Sequence, residues 1–204
     1  MSSTKKSLRV LAVAGSFNRD SATRIVIGEA ARRLAKLGCH VDLLDFEIEP
    51  LPLFNPHTAY DAPSFPALKK RVDSADVLVL GTPDYHGSIS SVMKSFLDHF
   101  WQEFAGKLFA TIVSSHEKGL TVTDQLRTVA RQCYAWSLPY GVSFMGDADI
   151  KSGEIVSDTL DARLTMMCRD VAVYGKLLAG QRRTDLASTG PGFMEKLRKK
   201  RKVG

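Results

Sequence analysis

The sequence predicts an α/β protein with a doubly wound, five-stranded parallel sheet and helices on both of its faces. Short apolar runs alternate with amphipathic stretches of helical period, and polar, glycine-containing segments follow several of the runs. The length of 204 residues suits one compact domain. In such sheets ligands bind beyond the carboxyl ends of the strands, so the loops at that edge are the candidate site.

The predicted strands and helices alternate along the chain. Strands are expected at residues 8–14, 39–46, 75–81, 108–113 and 136–144, and Pro139 marks the last of them as an edge strand. Helices are expected at residues 22–37, 65–74, 90–104, 121–134 and 160–178, where apolar residues recur every three or four positions. Because strands that alternate with helices pair in parallel through right-handed crossovers, this order predicts the doubly wound sheet.

The last predicted helix has an unusually regular apolar seam. Its members are Leu160, Leu164, Met167, Val171, Tyr174 and Leu178. Such a seam fits either packing against the sheet or a helix at a subunit interface, and the sequence leaves both interpretations open.

The excess of positive charge belongs to one segment. Residues 196–204 contain six of the 28 Lys and Arg and no acid, so the remaining 22 bases balance the 22 Asp and Glu. We therefore expect a single domain over residues 1–184 and a basic, disordered tail over residues 185–204. A solvated tail is the favoured interpretation, with polybasic docking or a targeting signal as the alternative. A nucleic-acid partner would rest on this tail alone and is not expected.

The cysteines indicate neither a metal site nor disulfides. Cys39, Cys133 and Cys168 are far apart, form no CxxC pair and have no His at ligand spacing. We expect them to be buried in a protein of the reducing cytoplasm. The sequence also lacks an apolar stretch of membrane-spanning length and a signal-peptide core, so no membrane span is expected.

The loop after the first strand, residues 15–24, is rich in hydrogen-bond donors. It offers the hydroxyls of Ser16, Ser21 and Thr23, the amide of Asn18 and the free N–H groups of a helix start. Such a loop can hold a phosphate without a metal ion. It matches neither GxGxxG nor GxxxxGK[ST], which disfavours an ordinary dinucleotide or nucleoside triphosphate site. The alternative is that Ser21 only caps the helix.

The loops after the third and fourth strands suit a flat ligand. Pro83 stiffens the first of them, Tyr85 offers an aromatic surface, and Gly87 allows close approach of a planar ring. His86 beside Asp84 is compatible with acid–base chemistry, but an ordinary surface His is the commoner case. The later loop, residues 114–119, is polar and glycine-containing, which is also typical of a simple turn.

Three motifs resemble a known family. The segments GSFNRDSATR (15–24), TPDYHGSISSVMKSFLDHF (82–100) and SSHEKG (114–119) are similar to the three flavin loops of the NADPH-dependent FMN reductases. These are flavodoxin-like enzymes related to quinone, azo-dye and chromate reductases. The resemblance covers about residues 8–140 and implies strand order 2-1-3-4-5, bound FMN, and NADPH or NADH as electron donor. The family usually has Arg, Glu and Asn where this chain has Asn18, Asp84 and His86.

The resemblance also implies roles for individual residues. The FMN phosphate would be held by Ser16, Asn18, Ser21, Ala22 and Thr23. The ring would lie along Pro83, Asp84, Tyr85, His86 and Gly87 with Ser88 nearby, and its polar edge would meet Ser115, His116 and Gly119. Arg19 and Arg24 are candidate partners of the 2′-phosphate of NADPH, or simply solvated arginines. No catalytic side chain is expected, because the flavin supplies the reactivity.

The implied activity is a ping-pong oxidoreductase. A hydride would pass from the nicotinamide to flavin N5, and electrons would then pass to FMN, a quinone, an azo compound or a metal oxyanion. The family implies a homodimer or homotetramer. The alternative is a flavodoxin-like electron-transfer module that a protein partner reduces. Residues 51–63 would border the acceptor site or simply pack on the surface.

Overall fold

A computed structural model of the chain describes residues 7–195 and residue 197. The strands are β1 (Arg9–Ala14), β2 (His40–Asp45), β3 (Val77–Tyr85), β4 (Ser88–Ile89), β5 (Leu108–Ser114), β6 (Trp136–Ser137), β7 (Val142–Phe144), β8 (Ile150–Lys151) and β9 (Glu154–Ile155). The helices are α1 (Ala22–Lys36), α2 (Phe65–Ser74), α3 (Ser91–Asp98), α4 (Leu120–Gln132), α5 (Gly146–Asp149) and α6 (Asp158–Ala187), with a short 3-10 helix at Gln102–Phe104. Every predicted element has a counterpart in these ranges.

The main sheet has the predicted doubly wound arrangement. Its path is β2-β1-β3-β5-β6, all parallel, so the predicted fold class is confirmed. The predicted fifth strand is split, since both β6 and β7 pair with β5 and Pro139 lies in the gap between them. The third strand is longer than predicted and turns back into the antiparallel β4 where a plain loop was expected.

The sheet is covered on both faces by apolar side chains. On one face Val10, Ala12 and Ala14 of β1 belong to a core shared with α1 and α6. On the other face Leu11 and Val13 belong to a core shared with α2, α3 and α4. Because successive residues of one strand enter opposite cores, the near-continuous apolar run of β1 follows from burial on both sides.

The seam of α6 packs on the sheet only in part. Leu164, Met167 and Val171 are buried there, but Tyr174 is exposed, contrary to the regular seam. Gly175 takes the buried position instead, and a Cβ on it would lie 2.8 Å from Cγ2 of Val77. A straight helix repeats every 3.6 residues and drifts away from a 3.5-residue pattern, which explains the shift from Tyr174 to Gly175.

The three cysteines are free and buried, as predicted. Burial raises the pKa of Cys133 to about 11 and that of Cys168 to about 12, so both thiols stay protonated at neutral pH. Burial likewise lowers the pKa of Lys107 to about 7. Its Nζ donates to the carbonyls of Val72 and Asp73 in the last turn of α2, which explains how an amine is accommodated there.

The structure describes the first part of the segment that was predicted as a tail, residues 185–195 and residue 197. Helix α6 extends to Ala187, and Met194 is buried against the body of the protein. Residue 196 and residues 198–204 lie outside the described residues. Within the part that the structure describes, no helix is both long and apolar enough to cross a membrane.

Candidate functional site

The three predicted loops meet at the carboxyl edge of the sheet. The N–H of Gly15 donates to the carbonyl of Gly81 at 2.8 Å. Ser90 Oγ donates to the carbonyl of Gly15 at 2.7 Å, which links the first loop to the start of α3. Ser115 Oγ donates to Asp84 Oδ2 at 2.9 Å, which links the second and third loops. The strand ends therefore form one connected surface.

A cleft of about 690 Å³ opens between the second and third loops. Its lining is Asp84, His86, Gly87, Ser115, His116, Glu117, Lys118, Gly119, Leu120 and Thr121. Six of the predicted FMN-binding residues are in this set. Among the described residues, the lining does not include Pro83, Tyr85, Ser88 or the predicted phosphate residues. The structure thus brings together several residues predicted to bind the ring and its polar edge, while the predicted phosphate loop lies outside this lining.

A tight hairpin turn forms one wall of the cleft. His86 has φ of +57° and Gly87 has φ of +77°, and these two residues connect β3 to β4. Positive φ at both central positions defines a type I′ turn, whose twist suits a two-residue hairpin. Asp84 Oδ1 accepts the N–H of Gly87 at 2.7 Å and fixes the turn from inside. His and Asn are among the non-glycine residues that tolerate positive φ. This tolerance explains why position 86 can be His in this chain and Asn in the family.

A glutamine on α4 holds the same hairpin from outside. Gln125 Oε1 accepts the N–H of Ile89 at 3.1 Å and the hydroxyl of Ser88 at 3.2 Å. Its Nε2 donates to the carbonyl of Gly87 at 3.2 Å. Sequence reasoning missed this residue because a polar position on an amphipathic helix carries no sign of its partner.

The first loop is organised by its own side chains. Ser21 caps α1 by accepting the N–H of Arg24 at 3.4 Å, and Asn18 Oδ1 accepts the N–H of Asp20 at 3.0 Å. Ser16 is buried, and its Oγ accepts the N–H of Asn18 at 3.2 Å. The N–H groups of Ala22 and Thr23 belong to the first turn, where a helix lacks internal acceptors. Ser21 therefore caps α1, next to the N–H groups of Ala22 and Thr23 at the helix start.

Close packing of α1 on β3 fixes the position of the first loop. Thr23 is buried, and a Cβ on Gly81 would lie 3.1 Å from its Cγ2 and 2.3 Å from Cγ1 of Ile27. Since 2.3 Å is a severe overlap, only glycine lets α1 approach β3 this closely. The first turns of α1 therefore pack directly on β3 at Gly81.

The two arginines that are candidates for contact with the nicotinamide cofactor differ in their surroundings. Arg24 is engaged, since its Nε and Nη2 pair with the buried carboxylate of Asp45 and its Nη1 donates to the carbonyl of Arg19 at 2.6 Å. The side chain of Arg19 is 89% exposed and lies 3.4 Å from Glu47. Arg24 therefore stabilises the first loop, whereas Arg19 can reach a ligand in solvent.

Two further segments flank the edge of the sheet. The loop over residues 51–63 packs on α3, where the N–H of Phe54 donates to Ser95 Oγ at 2.8 Å and its ring meets that of His99 edge-on at 5.2 Å. The segment after β7 comes close to the first loop, since a Cβ on Gly146 would lie 3.4 Å from Cβ of Ala22. This fourth segment was not predicted from the sequence.

A doubly wound parallel sheet with a cleft at the carboxyl ends of β3 and β5 is typical of the flavodoxin-like fold. Residues 8–149 match the family described as NADPH-dependent FMN reductase. The chain belongs to this family, and the predicted membership is confirmed. The names of its relatives give FMN as cofactor and NADPH as electron donor, in agreement with the prediction.

Individual relatives agree with this assignment. The chain is 29% identical over 139 residues to the NADPH-dependent FMN reductase ArsH of Shigella flexneri, covering 65% of this chain and 54% of that relative. It is 27% identical over 155 residues to an NADPH azoreductase of Bacillus sp. (strain OY1-2), covering 74% of this chain and 84% of the relative. Among solved structures, the flavoenzyme FerB from Paracoccus denitrificans, an NAD(P)H:(acceptor) oxidoreductase, has a TM-score of 0.68 at 17% identity, covering 83% and 98% of the two chains. The chain spans about half the length of the first of these relatives.

Proposed function

We propose that the chain binds FMN at the carboxyl edge of its sheet and acts as an NAD(P)H-dependent flavoenzyme. The chemistry that FMN supplies is acceptance of a hydride at N5 and later delivery of electrons to an acceptor. The observation that carries the proposal is the hydrogen bond from Ser115 Oγ to Asp84 Oδ2, since it joins two of the three family loops at a cleft of suitable size.

The first loop suits the phosphate of FMN. The start of α1 carries the positive end of the helix dipole, and its first turn contains no acidic side chain. The N–H groups of Ala22 and Thr23 and the hydroxyls of Ser16 and Ser21 would donate to the phosphate oxygens, together with the amide of Asn18. These residues fit the group by the chemistry of their donors, as a dianion needs several donors in one place.

The second and third loops suit the ring. The backbone from Pro83 to Ser88 would lie along its face, and Asp84 and Gln125 hold that backbone rigid from two sides. Ser115, His116 and Gly119 would meet the polar edge of the ring. Gly119 has φ of +58° at the start of α4, and a Cβ there would lie 2.8 Å from Cγ1 of Val113. Only glycine therefore fits at this position, so the lining of the cleft carries no side chain there.

Both substrates would use the open side of the cleft in turn, which gives a ping-pong mechanism. Arg19 would pair with the 2′-phosphate of NADPH from its exposed position, while Arg24 would act by holding the loop. The acceptor would be free FMN, a quinone, an azo compound or a metal oxyanion. We further propose a cytoplasmic protein that forms a homodimer or homotetramer.

The test is a visible spectrum of the purified protein during titration with FMN, followed by anaerobic reduction with NADPH and with NADH. Saturable FMN binding and bleaching by a reduced nicotinamide are expected, and the variant Ser115→Ala should bind FMN more weakly than the control Ser137→Ala at the opposite edge. Plots of reciprocal rate against reciprocal acceptor concentration, measured at several NADPH concentrations, should be parallel lines if the mechanism is ping-pong. FMN binding without nicotinamide oxidation would contradict the enzyme proposal in favour of an electron-transfer module.

A further inference from the structure

The amino edge of the sheet carries a cluster of exposed aromatic side chains. Its members, here called the aromatic patch, are Trp101, Tyr134, Trp136 and Phe193, with exposed fractions of 56%, 52%, 50% and 45%. They come from four separate segments: the stretch after α3, the stretch after α4, strand β6 and the stretch after α6. Scattered exposed aromatics are ordinary, but a contiguous set marks an interaction surface.

The rings of the patch contact one another. Phe193 stacks on Tyr134 with centroids 6.3 Å apart and meets Trp136 edge-on at 6.4 Å. Trp101, Tyr134 and Phe193 also line a mainly apolar cavity of about 200 Å³. Tyr134 has φ of +57°, an unfavourable conformation for a tyrosine, and its ring stacks within the cluster. The patch is therefore a built feature of the surface.

A run of positive charge follows the residues of this patch in the sequence. Leu197 lines the same cavity. The residues that follow it, 198–204, read RKKRKVG and contain five bases and no acid. Aromatic rings at the surface and adjacent basic residues are the two signals by which a protein binds the interface of an anionic membrane.

We propose that the aromatic patch and the basic segment after Leu197 together dock the protein on an anionic lipid surface. Tryptophan and tyrosine favour the headgroup layer, and the bases are attracted by the negative surface potential. A single-stranded nucleic acid is the less suitable partner, because stacking between Phe193 and Tyr134 already occupies one ring face of each. The docking surface is independent of the proposed flavin chemistry.

The fold fixes the orientation that docking would produce. Helix α4 begins at the cleft after Gly119 and ends near Tyr134, and its 13 residues span about 20 Å. The cleft and the patch thus lie at opposite ends of the same helix. A docked molecule would keep its cleft turned away from the lipid and open to solution.

The two tryptophans of the chain are both in the patch, so intrinsic fluorescence reports on it directly. The full chain is mixed with vesicles of phosphatidylglycerol and phosphatidylcholine, or of phosphatidylcholine alone, at low and at high salt. We expect a blue shift and co-sedimentation with the anionic vesicles only, both reversed by salt. Absence of a blue shift on anionic vesicles at low salt would overturn the proposal.

Variants separate the two signals. Ending the chain after Leu197 should lower vesicle affinity by at least about a hundredfold, since each base near the surface contributes roughly a factor of five. Trp136→Ser should lower it on the order of tenfold through lost aromatic burial. The control Tyr60→Ser removes a comparably exposed ring elsewhere and should leave binding unchanged. Circular dichroism and thermal unfolding check that each variant is folded.

Two results would contradict the proposal. An equal loss of vesicle binding in Trp136→Ser and Tyr60→Ser would show that the patch has no special part. Tighter binding of the chain to a uridine oligonucleotide than to anionic vesicles would replace the lipid by a nucleic acid.

Discussion

The two edges of the sheet are built in contrasting ways. At the carboxyl edge, glycines and short polar side chains hold loops in place through hydrogen bonds such as that between Ser115 and Asp84. At the amino edge, apolar rings and the buried amine of Lys107 fill the spaces between helix ends. Because α3 and α4 begin at one edge and end at the other, one pair of helices supports a polar cleft and an aromatic patch at once. The proposed ligand site and the proposed docking surface therefore lie at opposite ends of the same helices.

The largest expected effect concerns a glycine of the carboxyl edge. Gly119→Ala should lower the free energy of unfolding by about 3 kcal/mol, since the added Cβ lies 2.8 Å from Val113 and the residue has positive φ. Gly153→Ala is the matched control, because Gly153 has φ of +80° with open space around it, and about 1 kcal/mol is expected there. Urea unfolding measures both. Equal losses would mean that backbone strain alone matters at Gly119.

At the amino edge, Lys107 should make stability depend on pH. Its pKa is about 7 in the folded protein and near 10.5 when unfolded, so between these values the folded state binds fewer protons and stability rises with pH. The gain from pH 6.5 to 8.5 should be about 2 kcal/mol in the wild type relative to Lys107→Met. Unfolding curves across this range test it. Parallel pH profiles for the two proteins would show that the amine stays charged when buried.

A third prediction concerns the outer support of the cleft. Gln125→Leu removes three hydrogen bonds to the hairpin and should raise the Kd for FMN about tenfold, because the turn loses its fixed position. Asp124→Asn, an exposed neighbour on α4, serves as control. Fluorescence titration with FMN gives both constants. If Gln125→Leu bound FMN as the wild type does, Asp84 alone would suffice to hold the turn.

The smallest expected effect is at the rim of the cleft. Arg19→Ala should raise KM for NADPH several-fold and leave KM for NADH unchanged, because only NADPH carries the 2′-phosphate. Arg32→Ala, also exposed but paired with Glu29 on the outer side of α1, is the control. Steady-state kinetics with both donors measures the four changes. Similar effects on NADPH and NADH would assign Arg19 a role in the loop rather than in cofactor choice.

The helices and strands could be predicted from the sequence because the spacing of apolar residues reflects which faces are buried. The run from Leu8 to Ala14 and the stripe of α1 could be identified in this way, and both pack as expected. The turn at His86 and Gly87 was missed because its residue pair lacks the Asn-Gly or Asp-Gly signal of a type I′ hairpin. The regular seam of α6 was misleading at Tyr174, where helix geometry selected Gly175.

Individual side-chain contacts between distant segments could not be predicted, although the meeting of the three loops could. Gln125 reaches the hairpin across 36 positions of sequence to Ile89, and nothing in its local pattern indicates that partner. The same holds for the aromatic patch, since Trp101, Trp136 and Phe193 come together only when three helix ends converge. Sequence patterns of this kind report which face is buried, whereas such contacts depend on how elements are placed in three dimensions.

The hydroxyl of Ser90 has a consequence for how the carboxyl edge can open. It donates to the carbonyl of Gly15 at 2.7 Å and accepts the N–H of Met93 at 3.2 Å, while the N–H of Ser90 donates to Thr82 Oγ1 at 3.0 Å. The ends of β1 and β3 therefore cannot part without fraying the first turn of α3. We expect the amide hydrogens of Gly15, Ser90 and Met93 to exchange with deuterium in a single concerted step.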